Sequence, residues 1–295
     1  MTSGPPVPVA PAGARPFLPA RSPPARSARV IYQRFSPAPA LASAVECFWY
    51  LRRDAAAPGD PVERIAPDGC CELIFNFGDA VRAPDPAGRW ETQPTAMLVG
   101  QISRCLELVP GGAIEMLGVR FRPAGVAAFW PLALNELTDG HASLDALDGP
   151  WRDLEARMHD ARTTAARLAL LERTLLARRR PGGRDRLGAA VDRLRATGGT
   201  ARIGDLAAAL NVSPRQLERD FTRGVGLSPK QLARIFRCQA VLRAVQRGDH
   251  RWADVAQACG YFDQAHLVNE FRVLTGATPE AYLRAATTLG TVFAG

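Results

Sequence analysis

The sequence predicts an α+β protein of two domains. The N-terminal one is a mostly antiparallel β barrel or sandwich with flanking helices, the C-terminal one an all-α tandem helix-turn-helix. Three observations carry this expectation. A chain of 295 residues is long enough for two cores. Between residues 29 and about 122, strand-length runs rich in aromatic and β-branched residues alternate with turn residues. After RRRPGGR at 178–184 the spacing is helical throughout, and one helical pattern occurs twice.

The first 28 residues, MTSGPPVPVAPAGARPFLPARSPPARSA, are rich in Pro, Ala and Arg and lack the apolar run of a signal peptide, so they read as a disordered tail. RVIYQRF, VECFWYL, CELIFNF, AMLVGQI, CLELV and AIEMLGVRF follow as strands, with APDG, APDPAG and PGG supplying turn chemistry between them. From Pro123 the texture changes. PAGVAAFWPLAL and PWRDLEARMHDARTTAARLALLERTLLARRR have helical spacing, with Leu154, Met158, Ala161, Ala165, Leu168, Leu171 and Leu175 recurring at three and four. The last three leucines form a seam that packs on the β domain or pairs two copies of the chain, which makes a homodimer one expected assembly. The domain thus spans 29–177, and 178–184 is a linker.

Beyond the linker, Leu187, Ala190, Val191 and Leu194 define one helix, closed by Gly198-Gly199. Ile203, Leu206, Ala207 and Leu210 define a second. A third starts at Ser213, an N-cap, with Pro214 at the first helical position, where its missing N–H costs nothing. Another runs from Pro229 to about Gln246, with Leu232, Ile235, Leu242 and Val245 on one broad face. The stretch GYFDQAHLVNEFRVLTGATPEAYLR, 260–284, then echoes what came before. A shift of 50 places Ser213 on Asp263, Leu217 on Leu267, Phe221 on Phe271, Gly226 on Gly276, Ser228 on Thr278 and Pro229 on Pro279. The preceding helix needs a shift of 49, which sets Asp205 on Asp254 and Ala207 on Ala256.

Each copy is therefore a short helix, a tight turn and a capped second helix. Ala207 and Ala256 let the paired helices approach, while Leu217/Phe221 and Leu267/Phe271 anchor the second helix of each pair. Arg215, Glu218, Arg219 and Thr222 are left on the opposite side of the first copy, and Ala265, Val268, Asn269 and Arg272, with Gln264 at the helix start, on that of the second. A helix fits the DNA major groove, where Arg reads guanine, Asn or Gln reads adenine and Glu accepts from cytosine. Arg223, Arg234 and Arg272 are placed as phosphate contacts, which position without specifying. One such pattern is as often a solvated helix pair; two copies on a basic segment favour double-stranded DNA as partner.

The segments IGDLAAALNVSPRQLERDFTRGVGLSPKQLARIFR and WADVAQACGYFDQAHLVNEFRVLTGATPEAYLR resemble the double helix-turn-helix domain of AraC/XylS-type bacterial transcription regulators, over roughly 185–286, with 287–295 as a tail. The resemblance implies seven helices and two reading heads in successive major grooves. It implies base contact through Arg215, Glu218 and Arg219 in the first head, and at or near Gln264, Ala265, His266, Val268 and Asn269 in the second. Pro214, Thr222 and Asn269 depart from residues common in the family. ERIAPDGCCELIFNF and GVRFRPAGVAAFW are similar to an uncharacterised domain that often precedes such units. The family's variable N-terminal domains imply a small-molecule effector or a dimer contact, with no ligand specified.

Net charge is +8, and every basic residue except Lys230 is Arg, a skew to which GC-rich coding contributes. The segment 181–295 nonetheless holds 16 Arg/Lys against 10 Asp/Glu, as a polyanion-binding domain would. Six Cys without Cys-x-x-Cys spacing predict a reducing cytoplasm, and no 18-residue apolar run predicts a membrane span. His141, His159, His250 and His266 are scattered, and no nucleophile triad, phosphate loop or paired carboxylates stand out, so neither metal, cofactor nor enzymatic activity is expected. Pro67-Asp68-Gly69 reads as a turn. Arg120 and Arg122 share a strand face on which they could clamp an anion, though solvated or ion-paired side chains are commoner there. Cys70-Cys71 suggests either a sensing thiol or, more often, buried inert cysteines. Two alternatives stand beside the regulator. One is an Ada-like methyl acceptor, whose zinc site would need closer pairing than Cys47, Cys70, Cys71 and Cys105 offer. The other is a DNA-tethered protein-interaction scaffold.

Overall fold

The computed structural model describes residues 30–54, 62–85, 87–147, 151–180, 186–247 and 251–285. The expected tails 1–28 and 287–295, His250 and most of the linker lie outside them. The N-terminal domain contributes β1 (Val30–Phe35), β2 (Val45–Arg53), β3 (Glu63–Ile65), β4 (Glu72–Asn76), β5 (Val81–Pro84), β6 (Trp90–Thr92), β7 (Ala96–Val99), β8 (Leu106–Pro110), β9 (Ile114–Phe121) and β10 (His141–Ser143). A six-stranded sheet, ordered β1-β2-β9-β4-β7-β10, faces a four-stranded one, β3-β8-β5-β6. Every pairing is antiparallel. The result is a sandwich rather than a closed barrel.

β2 and β9 form the central ladder, in register from Cys47↔Arg120 to Arg53↔Ile114, and both are buried on two faces. Gly118, opposite Trp49, is required there, since a Cβ would stand 2.4 Å from the indole ring. Along β9, Leu117, Val119 and Phe121 turn to the core under the helices, and Met116 and Arg120 turn inward between the sheets.

The stretch PAGVAAFWPLAL departs from expectation. It forms one 3-10 turn, Val126–Ala128, and ends where a second, Leu134–Leu137, begins, with no α-helix. Pro131 supplies no backbone donor. The apolar spacing instead plugs the core: Phe129 and Trp130 pack against Phe121, and Trp130 stacks on Trp151 at 4.2 Å. Helices α1 (Arg152–Asp160) and α2 (Thr164–Arg178) follow, the second capped by Thr163, whose Oγ1 accepts from Ala166 N at 3.1 Å. Leu171 and Leu175 are fully buried and Leu168 packs beside them on the same chain's β domain. That face is occupied, so the leucine seam does not pair two copies of the chain.

The C-terminal domain is α3 (Arg186–Ala196), α4 (Ile203–Ala209), α5 (Pro214–Val225), α6 (Pro229–Gln246), α7 (Trp252–Ala258), α8 (Gln264–Thr275) and α9 (Pro279–Arg284), seven helices among the described residues. α6 runs through its centre, with Leu232, Ile235, Phe236, Cys238, Val241 and Leu242 buried.

The β domain docks on this helical core through several contacts, the pairing of Glu46 with Arg195 of α3 at 2.6 Å among them. Its loop before β4 meets α6: Gln239 Nε2, 4% exposed, donates to Pro67 O at 2.7 Å, and a Cβ on Gly69 would lie 2.9 Å from Leu232 Cδ1. Thr138 Oγ1 donates to Gly226 O at the end of α5, at 2.6 Å. Cys105 N donates to Leu274 O at the end of α8, at 2.7 Å.

Candidate nucleic-acid interface

The two helix pairs are built alike. Ala207 O accepts from Val212 N at 3.1 Å, and Ala256 O from Tyr261 N at 2.9 Å. The residue before each of these donors is left-handed, Asn211 at φ 54° and Gly260 at φ 77°. Asn tolerates that conformation and Gly meets no penalty in it. Tyr261 is therefore the structural equivalent of Val212. The residue that changes the repeat from 49 to 50 is Phe262, which is 93% exposed at the entrance to α8.

The caps repeat as well. Ser213 Oγ accepts from Gln216 N at 3.1 Å and Asp263 Oδ1 from His266 N at 2.7 Å, satisfying amides that the helix itself cannot. Gly226 (φ 90°) and Gly276 (φ 76°) end α5 and α8 in the left-handed conformation. Leu217, Phe221, Leu267 and Phe271 are all buried, which turns the intervening residues outward.

Arg215, Glu218 and Arg219 share the exposed side of α5. Arg219 rests on its own helix, donating to Gln216 Oε1, while Gln216 Nε2 bonds Asp220 Oδ1. On α8, Gln264, Ala265, His266 and Asn269 are exposed, and Val268 is half-buried against the core. His266 Nδ1 accepts from Phe262 N at 3.4 Å. Arg223 and Arg272 are exposed, as a phosphate contact requires.

Arg234 lies elsewhere. Its Nε donates to Glu270 Oε2 at 3.0 Å, and Arg237 reaches the same carboxylate through Nε at 3.2 Å and Nη2 at 2.9 and 3.0 Å. Arg237 also donates to Gly199 O at 3.1 Å. Two arginines of α6 thus grip one buried carboxylate of α8 and fix the second head to the shared helix. Sequence reading missed Glu270, Arg237 and Phe262. The available signals were an acidic residue beside the anchor Phe271, two arginines three apart on α6, and the half-step between shifts of 49 and 50.

In the β domain a cavity opens between the sheets. Its volume is about 70 Å³, with Trp49, Ile74, Met97, Leu106, Leu108 and Met116 among its walls. Arg120 enters it, pairing with Asp68 Oδ2 at 2.9 Å and Glu72 Oε1 at 2.8 Å. Burial raises both carboxyls against the pull of Arg120, Glu72 to about 7. Arg122 turns away and donates to Ala42 O at 2.8 Å, so the two arginines do not form an anion clamp. Pro67-Asp68-Gly69 is a turn, with Gly69 at φ 81° and Asp68 Oδ1 accepting from Cys70 N at 2.8 Å. Burial pushes the Cys70 and Cys71 thiols well up, away from the reactive thiolate. Among the described residues, no group of three or more His, Cys, Asp or Glu is placed to hold a metal ion, and no helix is long and apolar enough to cross a membrane.

Two capped helix pairs, each turning a polar helix outward and joined by one central helix, define a DNA-binding domain. Residues 206–285 match the family described as a helix-turn-helix domain, and residues 33–143 match a domain of unknown function, DUF6597. The C-terminal domain is a double helix-turn-helix of the AraC type, the DNA-binding unit of transcription regulators, joined here to that uncharacterised domain. No curated protein matches the sequence. Among solved structures the chain is similar to ToxT from Vibrio cholerae, at 10% identity over 90% of this chain and 100% of that one, with a TM-score of 0.44. A second ToxT structure from Vibrio cholerae, bound to an unsaturated fatty acid, is 11% identical over 88% of this chain and 95% of that one, at a TM-score of 0.43.

Proposed function

We propose that this protein regulates transcription by reading a specific DNA sequence with α5 and α8 in successive major grooves, and that a small molecule bound in its N-terminal domain modulates the reading. The observation that carries the first part is the pair of exposed faces, Arg215/Glu218/Arg219 and Gln264/His266/Asn269, on helices packed on α6, the second also ion-paired to it. These side chains offer the donors and acceptors that base edges require, and Arg223 and Arg272 flank them for phosphate. The modulated part is supported by the cavity between the sheets, whose lining reaches the loops docked on α6 and α8.

A gel-shift titration on DNA upstream of the protein's own gene, with excess non-specific competitor, tests the first part. The wild-type complex should survive the competitor, and Arg219→Ala and Asn269→Ala should each weaken it. A complex that competitor removes, and that is indifferent to both substitutions, reduces the binding to generic phosphate attraction.

A further inference from the structure

We infer that the two heads read half-sites of opposite composition, α5 a G·C-rich one and α8 an A·T-rich one about one helical turn away, and that Phe262 reads thymine methyl groups in the second. The inference rests on the proposed function and deepens its first part.

The docking of the domains decides which ends of the helices are open to DNA. The β domain holds α5 and α8 by their C-terminal ends, through Gly226 O and Leu274 O. Toward the other ends, Arg215, Glu218 and Arg219 on α5 and Gln264, Ala265 and Asn269 on α8 are exposed. Those N-terminal turns are the part of a recognition helix that meets base edges.

On α5 the structure leaves readers of G·C pairs. Gln216, the residue able to match adenine, is half-buried and engaged at both ends of its amide, by Asp220 Oδ1 and by Arg219. Arg219 gives that bond one of its five N–H donors, and its side chain stays exposed beside Arg215 and Glu218. Arginine pairs with guanine O6 and N7, and glutamate accepts from cytosine N4. Both residue types therefore select the same base pair.

On α8 the selection reverses. Its one carboxylate, Glu270, is buried against Arg234 and Arg237, and its one arginine, Arg272, stands in the last turn. What remains at the open end is Gln264 and Asn269, whose amides match adenine N6 and N7, and Ala265, whose methyl suits that of thymine. Phe262 adds to them. It is 93% exposed, it precedes the N-cap Asp263, and its N–H donates to His266 Nδ1, which lays its backbone over the first turn. The first head has no counterpart, since Val212 runs directly into Ser213. A bare phenyl ring at the edge of a base-reading face is an apolar surface that a thymine methyl covers and a G·C edge does not.

Selection of a random duplex library on the full-length protein tests this. Enriched sites should hold two blocks centred about 10–10.5 base pairs apart, one rich in G·C and one in A·T. Gel-shift titration on the best site assigns them. Arg219→Ala should cut discrimination against a scrambled G·C block from about tenfold to below about threefold and leave the A·T block as it was, and Asn269→Ala should do the converse. Deoxyuridine in place of thymine throughout the A·T block should weaken wild type about fivefold and Phe262→Ala no more than about twofold. Blocks of like composition, or a G·C block that answers to Asn269→Ala, overturn the assignment and leave the regulator standing. An equal deoxyuridine effect in wild type and Phe262→Ala overturns the role of Phe262. A library that yields no enriched site overturns the proposed function and this inference together.

Discussion

Replacing Glu270 by Ala isolates the device that fixes the second head. The substitution removes four hydrogen bonds and leaves two guanidinium groups facing each other across the vacated carboxylate. A fully buried pair that loses one partner is destabilised by about 3–5 kcal/mol, and an exposed one by less than about 1 kcal/mol. Glu270 is 9% exposed, but the side chains of Arg234 and Arg237 keep 29% and 18% of their exposure, so water screens part of the loss. An intermediate value of about 2–3 kcal/mol follows. Because the bonds join α8 to α6, the loss should appear as local opening of α8. Hydrogen exchange of the amides in 264–275 should therefore quicken roughly 30- to 160-fold, at 1.36 kcal/mol per factor of ten. The same variant should lose competitor-resistant DNA binding. Adding Arg237→Met to Glu270→Ala should restore part of the protection, since it removes one of the stranded charges. Exchange in α8 that quickens less than about fivefold, or a double variant no better protected than the single, would refute the reasoning.

Gly226→Ala and Gly276→Ala should differ although both glycines end recognition helices. Gly276 has open space around it, so only its positive φ opposes Ala, at about 1 kcal/mol, whereas a Cβ on Gly226 would also stand 2.9 Å from Leu134 O; urea unfolding should show at least twice the loss for Gly226→Ala. Phe262→Ser should leave the thermal midpoint unchanged, because the side chain is already solvated, yet weaken specific DNA binding about fivefold by removing an apolar contact of about 1 kcal/mol at the entrance to α8.

What the sequence made legible was what is encoded locally. Ser213-Pro214 and Asp263 cap their helices as read, and Ser228 and Thr278 do the same, because a cap is a contact between residues two or three apart. Six strands were readable to within a residue or two at most ends, the four-residue β7 among them through its apolar run AMLV, but β3, β5, β6 and β10 are three or four residues long and have no such run. PAGVAAFWPLAL misled because apolar spacing alone does not separate a helix from a turn that fills a core. The roles of Arg234 and Arg120 were hidden for a different reason. Their carboxylate partners lie 36 and 48 positions away, in Glu270 and Glu72, and no local pattern announces a contact that folding alone creates.

The contact between Gln239 and Pro67 spans 172 positions of the chain, which gives it a place in time as well as in space. Synthesis proceeds from the N-terminus at about 5–20 residues per second, so the β domain waits roughly 10–30 s after its loop emerges before α6 exists to receive it. During that interval Ala66 and Gly69 face water instead of α6. The nascent β domain must therefore hold its shape on its own helices α1 and α2, which leave the ribosome well before α6. A mutation that slows its closure would leave an apolar loop bare on every ribosome carrying the message, a burden felt as aggregation before any gene is regulated.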